Sequence, residues 1–172
     1  MNAAEIPVAH TPPGGWHGEM PPPVLAACTE PIAAGLPDLR GLWQAFAVEV
    51  DGEPIDDRSH LERIEQAGDR VVITAGGVVH DMRADGTLEH GVNDVSARNF
   101  TPIAVAARFT EGALVLRPND AFVAVTRHLE GDVLVWKLLP LKRVTRMRRV
   151  AGAPGLAKPA PERGSDDPQP LA

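Results

Sequence analysis

The chain has no tyrosine, a single cysteine and only four phenylalanines among its 172 residues. One cysteine, Cys28, excludes an internal disulfide and fits a reducing, cytoplasmic setting. No apolar run approaches the roughly 20 residues that a membrane helix needs. Basic charge is not in excess either. The formal charge is −6, so no global field draws nucleic acid or an anionic membrane. No G-x-S-x-G elbow marks a nucleophile. The six histidines lack the spacing of zinc motifs, so neither a metal nor a cofactor is expected.

One short motif points the other way. Leu25-Ala26-Ala27-Cys28 matches the bacterial lipoprotein cleavage box. That box works behind a basic and then an apolar stretch, whereas this one follows "HTPPGGWHGEMPPPV", so a small buried or half-buried thiol is expected.

Proline divides the chain. Eight of the seventeen prolines fall in residues 1–37 and five in residues 151–172. Proline supplies no ladder donor, so an irregular N-terminal arm (1–37) and a disordered tail (151–172) are expected to flank one domain, 38–150. Trp16, Met20, Val24, Leu25 and Ile32 would let the arm strap onto that domain, across a barrel end.

Within 38–150 the pattern is a run of short strands: 41–50, 60–66, 70–82 with a bend at Gly76-Gly77, 87–95, 103–109, 113–118, 121–129, 133–139 and 141–150. Glycine turns at AGD, ADG, TEG and EGD separate them, and helix is confined to a short turn around Ile55–Leu61. About eight to ten antiparallel strands in one meander avoid exposed edges best by closing. The expected fold is therefore all-β, a closed antiparallel up-and-down barrel whose interior holds side chains or one small ligand. Trp43, Phe46, Val72, Val105, Phe109, Leu114, Leu116, Phe122, Val125 and Trp136 are core or cavity candidates, and Ala45, Ala47, Ala75, Ala104 and Ala106 leave room inside.

Two motifs carry a resemblance. Gly41-Leu42-Trp43 on the first strand resembles the lipocalin G-x-W, and "RVTRMRR" (143–149) ends the last strand where that family carries an arginine over the tryptophan. The stretch "EGDVLVWKLLPLKRVTRMRR" is similar to the final hairpin of intracellular fatty-acid-binding proteins. The block 38–150 thus resembles the calycin superfamily. The resemblance implies a cation–π closure of one barrel end and an inward arginine, Arg143 or Arg146, that meets a ligand carboxylate. It departs from the family in three ways: it leaves no space for a helical lid after strand one, it lacks the lipocalin disulfide, and it lacks the longer G-x-W-x-G-x-G of the haem-binding nitrobindins.

Titratable chemistry concentrates in "GGVVHDMRADGTLEHGVND" (76–94). With Asp85-Gly86 as a two-residue turn, Asp81 faces His90 and His80 lies with Asn93. Asp81 and His90 would then form an acid–base dyad in a pocket, or a surface ion pair; Asp94 is an alternative carboxylate. His80 and Asn93 are the alternative inward pair. His128 ends a strand and stands alone. Arg143, Thr145, Met147 and Arg149 share one strand face, and Lys142, Arg146 and Arg148 the other. The leading expectation is a monomer or homodimer that binds a small, largely hydrophobic molecule through Trp43, His80, Asn93, Trp136, Arg143 and Arg146. A lumen-active isomerase, cyclase or hydro-lyase, and an interaction module docking through the proline-rich arm, are the alternatives.

Overall fold

The computed structural model describes residues 1–150, so the expected tail at 151–172 lies outside the described residues. The strands are β1 (Gly41–Val50), β2 (Glu53–Ile55), β3 (Leu61–Ala67), β4 (Arg70–Ala75), β5 (Val78–Arg83), β6 (Val92–Val95), β7 (Pro102–Thr110), β8 (Ala113–Pro118), β9 (Val125–Glu130), β10 (Val133–Leu138) and β11 (Arg143–Arg149). All pairings are antiparallel, in the order β5-β4-β3-β1-β11-β10-β9-β8-β7-β6, with β2 added to the far half of β1. The sheet curls into a nearly closed barrel.

Local chemistry explains the meander. Gly76 and Gly77 both have positive φ, and Ala75 pairs with Val78, so they make the two-residue turn that matches strand twist. The AGD, TEG and EGD turns join β3–β4, β7–β8 and β9–β10 as expected. A bulge between Ala45 and Ala47 shifts the β1–β11 register, bending β1 at mid-length.

Alternation decides the two faces. Trp43, Ala45, Ile64, Val71, Ile73, Met82, Val92, Val105, Ala107, Leu114, Leu116, Leu134 and Met147 fill the interior. Three core expectations are corrected. Val72 points outward beneath the N-terminal arm, Phe46 lies under the Arg148 guanidinium (3.9 Å), and Phe122 is 52% exposed in the β8–β9 loop. In β7 it is Ala107, partner of Leu116, and not Ala104 or Ala106 that belongs to the interior cluster.

Three further expectations fail for local reasons. Residues 55–61 form no helix; Ile55 ends β2, residues 56–60 are irregular and Leu61 begins β3. Residues 121–124 precede β9 as a loop, because Ala124 returns its N–H to Leu116 and accepts from Leu139. Asp85-Gly86 is not a hairpin turn. The Asp85 carboxylate instead accepts from Thr87 N, Thr87 Oγ1 and His90 Nδ1, a local alternative to a ladder. Residues 84–91 therefore form a loop that leans on β7, with Gly86 N donating to Ala107 O. Gly91 is required at that crossing, since a Cβ would collide with the Val105 carbonyl.

The β5–β6 junction is thus a seam rather than a ladder. It is stitched by Arg83 N to His90 O (2.7 Å) and by His80 Nε2, which donates to Val95 O (2.8 Å).

The arm straps the outside of β3–β5 and does not cross a barrel end. Its proline-rich backbone has few internal partners, so charged side chains on the outer sheet face supply them. Arg70 donates to the carbonyls of Ala3, Ile6 and Pro7. Glu65 accepts from Val24 and Leu25, Arg63 donates to Pro21 O, and Trp16 Nε1 donates to Val78 O. Ala3, Leu25, Val72, Val79 and Ala67 form a second apolar cluster there, with half-buried Cys28 packed against it.

Candidate functional site

The barrel has two unlike ends. At the end where β1 begins, Trp43 is fully buried, its Nε1 donates to Leu39 O (2.9 Å), and Arg149 lies 4.4 Å over its ring. Arg149 also donates to the carbonyls of Arg40 and Asp38, while Gln66 holds Leu39 N and Pro37 O. Every polar group of this end named here is paired, and the end is shut.

From Glu62, the β3 partner of Trp43 in register, towards the other end, the interior holds a polar cluster. Glu62 on β3 is 0% exposed and takes two hydrogen bonds from Arg127 on β9, from Nε at 3.0 Å and Nη2 at 3.1 Å. His60 donates from Nε2 to Glu62 (2.9 Å) and stacks on Trp136 at 4.5 Å. Arg127 lies 5.1 Å from the same indole. Burial opposes ionisation of Glu62, but the Arg127 charge and the His60 and Arg127 hydrogen bonds hold its carboxyl down at about 2. Glu62 is therefore an anion at neutral pH. Burial lowers the pKa of His80, farther round the same end, and the Arg127 charge adds to this against the Val95 carbonyl and Asp94.

Two donors in this cluster have no partner. Among the described residues, the buried side-chain atoms without a hydrogen bond are Arg63 Nε, Trp136 Nε1 and Thr145 Oγ1. The last two are cross-strand neighbours, Trp136 opposite Thr145 in the β10–β11 register, on the interior face with Leu134 and Met147. Buried donors left open are costly in a finished core, so these two positions are open to a ligand or an ordered water.

Around the mouth, Arg143 pairs with Asp57 (2.9 Å), and Asp57 is lowered to about 2 by hydrogen bonds from Ser59 and then from Arg143. Phe122, Leu139 and Leu141 stand exposed on the β8–β9 and β10–β11 loops, joined by Leu139 N to Ala124 O.

The residues singled out in the sequence fall in different places. Trp136 and His80 are in the barrel, and Arg143 is at its mouth on the inward face. Trp43 closes the other end. Arg146 is outside, paired with Glu49 (3.3 Å), and Asn93 is exposed, donating to Leu88 O. Asp81 and His90 do not face each other. Asp81 points outward, ion-paired with Arg70 (2.6 Å) and accepting from Ala9 N, while His90 pairs with Asp85 (2.6 Å). The cause is the register: the turn that sets the hairpin is Gly76-Gly77, so Asp81 pairs across to Val72. His128 lies beside Glu130 (3.2 Å).

Asp81 and His90 both line a groove of about 480 Å³ between the arm and the seam, together with His10, Arg70 and Asp94. Its buried carboxylates are already paired: Asp81 with Arg70, and Asp94, which accepts from Thr11 N and Val95 N and lies 3.4 Å from His10. The mouth cluster does not line this groove, and it is the stronger candidate site on its unmet hydrogen bonds alone. Among the described residues no group of three or more His, Cys, Asp or Glu is placed to hold a metal ion, and no helix is long and apolar enough to cross a membrane.

Sequence reasoning missed His60, Glu62, Arg127 and Thr145. A signal existed for Arg127, which sits between Val125 and Leu129 at period two, so an arginine shares an apolar face. The basic run 142–149 is likewise explained. Lys142 pairs with Asp51, Arg143 with Asp57 and Arg146 with Glu49, while Arg148 and Arg149 cover aromatic rings. No protein-family model matches the chain, and no curated protein does.

Proposed function

We propose that the protein is a calycin-like carrier that takes a small, largely apolar molecule through the end of the barrel opposite Trp43. The observation that carries this reading is the pair of unpartnered buried donors, Trp136 Nε1 and Thr145 Oγ1, beside the Glu62–Arg127 pair. Ligand sites of this kind are mostly apolar walls with a few placed polar groups. The interior is walled by Ile73, Val105, Leu116 and Leu134, and the mouth is rimmed by Phe122, Leu139 and Leu141. Trp43 under Arg149 supports the calycin likeness.

Native mass spectrometry of the freshly purified chain is the direct test. One small molecule per chain is expected, lost on Trp136→Ala. A preparation with no bound mass that also fails to enhance the fluorescence of the neutral dye Nile red would sink the reading.

A second reading has one observation in its favour. His60 oriented by buried Glu62 (2.9 Å) is an acid–base pair next to unpartnered donors, the arrangement that lumen proton-transfer chemistry needs. Turnover of a bound molecule that disappears in His60→Gln, with binding intact, would put the enzyme ahead of the carrier.

A further inference from the structure

We infer that the polar group received at the mouth is an uncharged oxygen (a ketone, aldehyde or alcohol on an apolar body) and not a carboxylate. This rests on the carrier reading and narrows its ligand class. It runs against what a fatty-acid-binding likeness implies.

An inward arginine recognises a carboxylate when its guanidinium fork is free. Here the Nε/Nη2 edge of Arg127 is already filled by Glu62 at 3.0 and 3.1 Å, which balances its charge, and Arg143 is held by Asp57 at 2.9 Å. The protein thus carries its own carboxylate where an acid ligand's would sit. Glu62 is fully buried and ionised, so a second carboxylate brought to Trp136 would face a like charge in a medium that screens it poorly.

The buried atoms of this cluster that remain open are neutral: one indole N–H and one hydroxyl, neighbours in register. An indole N–H only donates, and a threonine hydroxyl donates or accepts. A carbonyl oxygen offers the two lone pairs that these two donors call for, and an alcohol can match them using one proton in return. A hydrocarbon of the same shape leaves both unmet. Sites with buried polar groups reject such analogues more strongly than size alone would.

The test uses the full chain and four probes of one eight-carbon length: the methyl ketone, the primary alcohol, the carboxylate and the alkane. Affinity is read in every variant from the line broadening of the probe's own proton signals, and in the native protein also from the indole N–H resonances, with that of Trp136 assigned by Trp136→Phe. The expected result at neutral pH is a shift of the Trp136 indole signal with ketone and alcohol. Their affinity should be roughly tenfold or more above the alkane's, as one or two satisfied buried donors imply, and the carboxylate should bind no better than the alkane.

The nearly isosteric Thr145→Val combined with Trp136→Phe should abolish the ketone's advantage and keep the alkane's affinity. Glu62→Gln should raise carboxylate affinity about tenfold by removing the like charge. A carboxylate that outbinds the ketone in the native protein overturns the inference and leaves the carrier standing. So does a ketone advantage that survives the double variant. If none of the four probes binds, both fall.

Discussion

The two ends of the barrel are built from the same parts and serve opposite ends. Each has a tryptophan with an arginine over it, Arg149 at 4.4 Å from Trp43 and Arg127 at 5.1 Å from Trp136. At the closed end Trp43 Nε1 has the Leu39 carbonyl and Arg149 has two more carbonyls. At the open end Trp136 Nε1 has nothing and Arg127 is spent on a buried carboxylate. The residue types do not distinguish a lid from a site. The hydrogen-bond accounts do, because a closure must be satisfied to be stable while a receptor must keep something unmet.

The largest effect that would sharpen this contrast is Trp43→Ala. Truncating a buried tryptophan costs about 3 to 5 kcal/mol, and a cation–π contact of about 0.5 to 2 kcal/mol goes with it. Trp136→Ala, at the half-buried ring, should cost clearly less in urea denaturation while removing ligand binding. Equal losses from the two variants would erase the distinction.

Next is Arg127→Met, which strands ionised Glu62 in the interior and should cost about 3 kcal/mol or more. The double variant Glu62→Leu/Arg127→Met should regain most of that loss, since an apolar pair avoids desolvation. The pH dependence follows from the sign of the Glu62 shift. Its carboxyl is depressed from 4.5 to about 2 in the folded protein. The stability it contributes is therefore whole above about pH 4.5 and drains as pH falls towards 2. Acid titration followed by circular dichroism should show a steeper loss over that window in the native chain than in the double variant.

A smaller effect is expected outside the barrel. Arg70→Met removes the donor to three arm carbonyls and leaves Asp81 with the Ala9 N–H. A loss of about 2 kcal/mol is expected, with faster proteolysis in residues 1–12. Unchanged proteolysis would mean that the arm is held by its apolar cluster alone. The smallest effects belong to Arg146→Ala and Asn93→Ala, exterior positions where about 0.5 kcal/mol or less is expected. Loss of ligand binding in either would move the site away from the mouth.

Much of this was written locally. Alternation in β1, β4 and β7–β11 and the glycine turns sufficed for an all-β meander, because side-chain period and turn geometry involve only near neighbours. Trp43 and its C-terminal arginine could be named as well. Where two turn signals competed, local reading erred. Gly76-Gly77 took the hairpin, and Asp85-Gly86 became a loop held by its own aspartate. That one choice moved His90 away from Asp81.

The sequence by itself therefore determined the all-β meander, most of its strands, and that Trp43 and Trp136 belong to the barrel. Only the tertiary structure decided that Glu62 meets Arg127 from 65 positions away, that the outer charges of β3–β5 bond the arm's backbone, and that Trp136 and Thr145 are left without partners. The physical reason is that the side-chain partners met across a closing sheet depend on register, bulge and curvature summed over the whole barrel. A one-residue slip in that sum turns every side chain to the other face.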